Sequence, residues 1–129
     1  MKSVVFTEKA PKPVGPYSQG VRAGDFLFVS GQVSIDPETG EIKEGTIEEQ
    51  TKLVLQNIKA ILESGGSTIA DVVKITAILT DMANFSAFNA VYQTFFPSSP
   101  PSRVCFEGRL PGGGKLLVEV DAIGYVRTG

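Results

Sequence analysis

Residues 100–107 read Pro100-Pro101-Ser102-Arg103-Val104-Cys105-Phe106-Glu107, and they fix one strand of the fold. The two prolines exclude a helix and favour an extended entry, and the following residues have the alternating character of a short β-strand. On such a strand Arg103 shares a face with Cys105, the single cysteine of the chain. A cation beside a thiol, with no aspartate or glutamate directly next to it, suits a small anionic ligand better than a solvent-facing edge. The rest of the chain is therefore interpreted as what builds and covers this strand face.

Two amphipathic helices are predicted before that strand. The first runs from Thr46 to about Ser64, because Thr46 and Glu49 form a capping box and Gly65-Gly66 ends the helix. The second begins after Asn84 as N-cap and extends to Phe96. Both helices carry a stripe that we interpret as core, formed by Ile47, Thr51, Val54, Leu55, Ile58, Ile61 and Leu62 in the first and by Phe85, Phe88, Tyr92, Phe95 and Phe96 in the second.

The remaining segments read as strands and turns. A first strand covers residues 2–7, a hairpin with a turn at Gly24-Asp25 covers residues 21–33, and a further strand covers residues 72–79. The last strand, residues 115–126, places Glu119 and Asp121 on one face. We expect this strand to be the hairpin partner of the Arg103 strand, which would bring Glu119 near the guanidinium.

The order of elements is β-β-β-α-β-α-β-β, which predicts one α+β domain over residues 1–129. Two helices cover one face of a mixed sheet of about six strands. The opposite face carries Phe26 and Phe28, or else Leu27 and Val29, and such an apolar face needs cover. Because no third helix is available, we expect it to be buried against copies of the same chain.

Three candidate site positions have two interpretations each. Tyr17 follows a proline-rich loop and is favoured as an aromatic residue packed over the sheet edge, although its hydroxyl would also suit a site. Gly31, between Ser30 and Gln32, indicates a bulge or a close approach to the backbone, either at a binding-site wall or at a simple strand end. Asn89 lies beside the aromatic stripe, where it caps a loop or points into a site, and capping is favoured.

Composition excludes several classes of function. The chain has no histidine, which rules out a Ser-His-Asp triad, a Cys-His pair and an imidazole base, and leaves poor ligands for zinc. A net charge of −2 argues against a general nucleic-acid binder. No apolar run reaches membrane-spanning length, and the N-terminal residues lack a signal-peptide pattern. A single cysteine excludes an internal disulfide, so a cytoplasmic location fits.

Several motifs together resemble the RidA/YjgF family of imine deaminases, also called the L-PSP family. They are Gly15-Pro16-Tyr17-Ser18-Gln19, Ser30-Gly31-Gln32, Asn89-Ala90-Val91-Tyr92 with Phe95-Phe96, Pro101-Ser102-Arg103-Val104-Cys105 and Val118-Glu119-Val120-Asp121-Ala122. The resemblance implies a chorismate-mutase-like fold and a homotrimer with sites between subunits. It also implies hydrolysis of 2-imino acids such as 2-iminobutanoate and 2-iminopropanoate, or their enamine tautomers, to 2-keto acids and ammonia. These intermediates escape from pyridoxal-phosphate enzymes, and the deaminase itself uses no cofactor and no metal.

Carried over by position, the resemblance assigns Arg103 to hold the substrate carboxylate and Glu119 to position or activate water. Its other pocket residues are Tyr17, Ser30, Gly31, Asn89 and Cys105. A partly buried Glu119 would have a raised pKa and suit a general base, although a substrate amine is an alternative activator of the water. A purely structural alternative is a buried ion pair between Arg103 and Glu119. The segment 108–114 differs in length from family members, which affects the rim of the site and its substrate range.

Two other functions compete with the deaminase. One is a trimer that binds small carboxylates such as 2-keto acids without turnover, which would need Arg103 but not Glu119. The other is an RNA-directed or translation-inhibitor activity, a label that some family members carry. The acidic net charge, the missing histidine and the lack of a basic aromatic patch count against RNA. We therefore expect neither a nucleic-acid nor a membrane partner.

Overall fold

Two helices lie on one face of a six-stranded mixed sheet in the computed structural model, which describes residues 1–127. The strands are β1 (Lys2–Val5), β2 (Gly20–Ala23), β3 (Phe26–Gln32), β4 (Val72–Leu79), β5 (Ser102–Glu107) and β6 (Val118–Tyr125), and the helices are α1 (Ile47–Ser64) and α2 (Phe85–Phe95). The predicted element order is confirmed. Within the described residues, neither helix combines the length and the hydrophobicity of a membrane-spanning segment.

Local sequence signals account for both helices, with one correction. The capping box forms as predicted, since Thr46 Oγ1 accepts from the Glu49 amide at 3.2 Å and Glu49 Oε1 accepts from the Thr46 amide at 2.9 Å. Asn84, however, does not cap α2 with its side chain. Asp81 caps a short 3₁₀ turn that precedes α2, its Oδ1 accepting from the Ala83 amide at 2.9 Å, and α2 continues directly from that turn.

The strand order is β1-β2-β3-β6-β4-β5, and every neighbouring pair is antiparallel except β4 and β5, which are parallel. The predicted hairpin of β5 with β6 is therefore wrong. Helix α2 connects β4 to β5, and two strands joined through a helix run parallel. β5 lies beside β4 at the edge of the sheet. The connection 108–117 then carries the chain across β4, and β6 inserts between β3 and β4.

The two faces of the sheet differ in cover. Leu27 on β3, Ile75 on β4 and Val120 on β6 are buried beneath the helices. The opposite face leaves large apolar side chains 40–47 % exposed, namely Phe26, Phe28, Val104, Phe106 and Tyr125. We call this second surface the apolar face. The alternating pattern of β3 predicts that one apolar face of the sheet is left without helices. Of the two pairs that were open, Phe26 and Phe28 lie on this face.

Candidate active site

Arg103 lies on the helix side of edge strand β5 and is held by α2. Its Nη1 donates to Asn89 Oδ1 at 2.8 Å. The guanidinium carbon lies 4.7 Å from the centroid of the Tyr92 ring and 5.7 Å from those of Phe85 and Phe88. Asn89 thus points at the guanidinium instead of capping a loop. We call Arg103, Asn89 and the three rings the anchor cluster.

The positive charge of the anchor cluster has no acidic partner within 4 Å among the residues that the structure describes. The salt bridge found among residues 1–127 joins Arg127 to Asp71 and does not involve Arg103. An arginine carries five N–H donors, and the bond to Asn89 engages one of them. The remaining donors have no partner within residues 1–127 and can bind a planar anion such as a carboxylate, which an arginine recognises in a bidentate manner.

Cys105 lies two residues after Arg103 on the same face of β5 and is half-buried. Burial raises the pKa of its thiol, and the Arg103 guanidinium offsets that shift only in part. The thiol is therefore protonated near neutral pH and is a poor nucleophile. It lies beside the anchor cluster, and the lining role that the resemblance implies for it stays a prediction.

A second cluster of candidate residues surrounds a cavity of about 420 Å³ on the other side of the sheet. The cavity is lined by Val14, Tyr17, Ser30, Gly31, Val33, Ile35, Pro111 and Glu119. We call it the Glu119 cavity. It brings together four of the predicted site residues, Tyr17, Ser30, Gly31 and Glu119. Its apolar walls were not predicted from the sequence.

The backbone of β3 makes room for the Glu119 carboxylate. The register between β3 and β6 shifts between Val29 and Gln32, which confirms the predicted bulge at Gly31. A Cβ atom at Gly31 would lie 2.8 Å from Glu119 Oε2, so the close approach predicted for this glycine is also present. Ser30 is fixed beside it, because its Oγ donates to the Ser18 carbonyl at 2.6 Å.

The carboxyl group of Glu119 has a pKa above its usual value. Burial raises the pKa of its carboxyl group, and the Asp121 carboxylate raises it further. Asp121 shares this face of β6 because it lies two positions after Glu119 along the strand. The raised pKa expected from sequence is therefore confirmed, with desolvation as the main cause.

Tyr17 reaches the Glu119 cavity from a loop that one buried glutamine holds in place. Gln19 Nε2 donates to the carbonyls of Thr7, Ala10 and Pro11, and its Oε1 accepts from the Thr7 amide at 2.7 Å. Tyr17 itself remains 45 % exposed at the rim. Its position is thus defined by the loop, while much of its ring is available to a ligand or a partner.

The structure does not bring Arg103 and Glu119 together within one chain, which corrects the expectation drawn from the hairpin. Strand β4 lies between their strands, with Ile75 paired to Arg103 and Ile78 paired to Glu119. Arg103 faces the helices, whereas Glu119 faces away from them, since its neighbours Val118 and Val120 are the buried ones. A buried ion pair between the two within one chain is excluded.

Sequence reasoning missed two groups of residues. Tyr92 and Phe85 were interpreted only as core, although they lie three residues after and four before Asn89 and so share its helix face. The walls Val33, Ile35 and Pro111 belong to irregular segments, where no periodicity identifies a facing direction. Among residues 1–127, no group of three or more His, Cys, Asp or Glu side chains is placed to hold a metal ion.

A family model described as endoribonuclease L-PSP matches residues 7–126. The chain belongs to the endoribonuclease L-PSP family. It is 55 % identical over 125 residues to a RutC family protein of Pyrococcus abyssi, covering 96 % of this chain and 97 % of the relative. This membership confirms the RidA/YjgF resemblance.

Solved structures of L-PSP relatives confirm the fold. A crystal structure from Thermotoga maritima, described as that of a candidate endoribonuclease, has a TM-score of 0.93 at 48 % identity and covers 99 % of this chain and 100 % of its own. Escherichia coli TdcF, named as a candidate reactive intermediate deaminase, is 39 % identical over 127 residues, 95 % of this chain and 98 % of TdcF. A TdcF crystal structure with bound serine has a TM-score of 0.89 at 38 % identity and covers 98 % of this chain and 99 % of that one.

Proposed function

We propose that this L-PSP protein is an imine deaminase that hydrolyses 2-imino acids, or their enamine tautomers, to 2-keto acids and ammonia. The observation that carries the proposal is the Arg103 guanidinium, which is held in place without an acidic partner among the described residues. A 2-imino acid presents a carboxylate directly beside its reactive carbon, so a fixed arginine orients that carbon. The TdcF structure with bound serine supports this ligand class, since serine carries the same carboxylate.

The chemistry needs only orientation and proton transfer. Water adds to the electrophilic carbon of the protonated imine while Glu119 accepts a proton from the water, which gives an addition product with a hydroxyl and an amino group on one carbon. Glu119 then returns that proton to the nitrogen, and the C–N bond breaks as the hydroxyl gives up its proton and becomes the keto carbonyl, so that ammonia leaves. The raised pKa of the Glu119 carboxyl suits both proton steps. The substrates we propose are 2-iminobutanoate and 2-iminopropanoate, which pyridoxal-phosphate enzymes release by elimination from hydroxy amino acids.

We further propose that the site is shared between copies of the chain in a homotrimer. Arg103 lies at the sheet edge on one face, whereas the Glu119 cavity opens on the other, so the two halves meet only if a neighbouring copy supplies one of them. The exposed apolar face supplies a surface for that association. Tyr17, Ser30, Gly31 and Glu119 would then come from one copy, and Asn89, Arg103 and Cys105 from the next.

The direct test measures ammonia and keto-acid release from 2-iminobutanoate that a threonine dehydratase generates in the assay. We expect the wild-type protein to accelerate release and Arg103→Ala to lose about tenfold to a hundredfold in kcat/KM, the effect of a charge-assisted bond. Arg22→Ala removes the same charge outside both clusters and serves as the control. Acceleration that persists in Arg103→Ala would remove Arg103 from the centre of the site. No acceleration by any variant, with 2-oxobutanoate still bound, would indicate a binding protein without turnover.

A mixing experiment tests the shared site. Arg103→Ala and Glu119→Gln are each expected to lose most of the activity when expressed alone, but co-expression would produce mixed trimers in which one copy supplies the arginine and its neighbour supplies the glutamate. Random assembly would restore about a quarter of the wild-type activity, because half of the copies can fill each role. No restoration, with both variants folded and assembled, would contradict a site between subunits. A Glu119→Gln protein that is fully active would show instead that the substrate amine activates the water.

A further inference from the structure

The anchor cluster contains a feature that the proposed function does not use. Arginines held in proteins usually pair with a carboxylate, but Arg103 rests on aromatic rings, and the ring of Tyr92 is the nearest at 4.7 Å. Tyr92 is 7 % exposed, and its ring is packed 5.5 Å from that of Phe88 and 4.7 Å from that of Phe96. The ring beneath the guanidinium is therefore itself fixed.

The hydroxyl of Tyr92 does not explain why a tyrosine occupies this place. Its oxygen is buried and finds no hydrogen-bond partner among residues 1–127. A buried hydroxyl without a partner is unfavourable, and burial also raises the pKa of this phenol, which keeps it neutral. The contribution of Tyr92 must therefore come from the face of its ring.

On the basis of the proposed function, we infer that Tyr92 is the positioning residue of the substrate's carboxylate anchor. Its ring attracts the cation through the negative face of the π-system and occupies none of the N–H donors. Asn89 engages one donor and sets the rotation of the guanidinium. The arginine thus loses its side-chain freedom when the protein folds instead of when substrate binds, and its charge stays available to a substrate carboxylate.

This assignment explains why the cluster uses an amide and rings instead of an acid. A glutamate or aspartate in the position of Asn89 would fix Arg103 equally well, but its charge would compete with the substrate carboxylate. Asn89→Asp replaces the amide by a carboxylate of the same shape. It is expected to raise KM more strongly than the loss of the ring does, without unfolding the protein.

The test compares Tyr92→Leu with Tyr92→Phe, and Phe95→Leu is the control. Phe95 is another aromatic residue of α2, half-buried where Tyr92 is buried, and it does not contact the guanidinium. We expect Tyr92→Leu to raise KM for 2-iminobutanoate and Kd for 2-oxobutanoate by about fivefold to thirtyfold, the range of a partly desolvated cation–π contact. Because the anchor is used equally in the ground state and the transition state, kcat should change little. Tyr92→Phe keeps the ring and should restore both constants.

A role limited to packing would give a different result. Tyr92→Leu and Phe95→Leu would then both lower the melting temperature, and neither would raise Kd for 2-oxobutanoate, which would overturn the inference. If Tyr92→Leu does not fold, Tyr92→Met fills the same space without a ring and is compared with Tyr92→Phe. Failure of the proposed function itself is distinguishable, because the wild-type protein would then neither release ammonia nor bind 2-oxobutanoate.

Discussion

Replacing Gly31 by alanine should impair catalysis while leaving the fold intact. The new Cβ would lie 2.8 Å from Glu119 Oε2 and 3.0 Å from its Cδ. Ordinary van der Waals contact begins at 3.4 Å, so the carboxylate oxygen must retreat by at least about 0.6 Å from its 2.8 Å separation. Because the obstructing atoms are the end of a flexible side chain, the backbone of β3 can stay where it is.

A displacement of this size should change the free energy of unfolding little but should strongly lower the rate of proton transfer to Glu119. Misplacement of a reacting group by about 1 Å can cost on the order of a hundredfold in rate, so we expect kcat of Gly31→Ala to fall by about tenfold or more. The free energy of unfolding should change by less than about 1 kcal/mol, since no core side chain is removed. Stopped-flow measurement of imine decay gives kcat, and urea denaturation followed by fluorescence or circular dichroism gives the stability.

Gly24→Ala provides the opposite pattern as a control. Gly24 has a φ of +61° in the β2–β3 turn, and nothing lies within 4 Å of an added Cβ. Alanine at that backbone conformation costs about 1 kcal/mol of stability, and kcat should not change. A Gly31→Ala protein with wild-type kcat would refute the reasoning, because it would show that the position of the Glu119 carboxylate does not limit the reaction.

Three further predictions test the electrostatics, the assembly and the loop. Asp121→Asn removes a charge that raises the pKa of Glu119, so this pKa should fall. The acid limb of the pH profile of kcat should then move to lower pH, and an unmoved limb would argue against Glu119 as the base. Phe28→Asp places a charge on the apolar face and should yield monomers in analytical ultracentrifugation, whereas an unchanged mass would argue that this face is not the interface. Gln19→Leu removes the side-chain hydrogen bonds to Thr7, Ala10 and Pro11 and should lower the free energy of unfolding by about 3 kcal/mol in urea titrations. A change below about 1 kcal/mol would show that the Tyr17 loop is held otherwise.

The parts of the fold that local chemistry determines were predictable. The capping box at Thr46 and the glycines after Ser64 place both ends of α1, and the alternation over Val72–Leu79 places β4. Side-chain alternation also assigned Arg103 and Cys105 to one face of β5 correctly. Each of these signals is contained within a few consecutive residues, which is why a single sequence carries it.

The neighbour of β5 was not predictable from alternation, because alternation identifies a face and not a partner. The connection rule was the relevant signal: β4 and β5 are joined through a helix, and such strands pair in parallel. The length of the 108–117 connection between β5 and β6 is a second signal against a hairpin of these two strands. The error mattered, since it placed Glu119 beside Arg103 within one chain.

The separation of Arg103 from Glu119 has a chemical consequence under the proposed function. If the two side chains met in the folded subunit, the guanidinium would lower the pKa of the carboxyl and would have its own donors filled before any substrate arrived. On opposite faces of the sheet, Arg103 keeps free donors and Glu119 keeps a raised pKa. The substrate then lies between the two groups, its carboxylate on the cation and its imine carbon facing the base. Within one chain, the topology that places β6 between β3 and β4 therefore keeps the guanidinium and the carboxyl apart, and the proposed assembly would bring them to the two ends of one substrate.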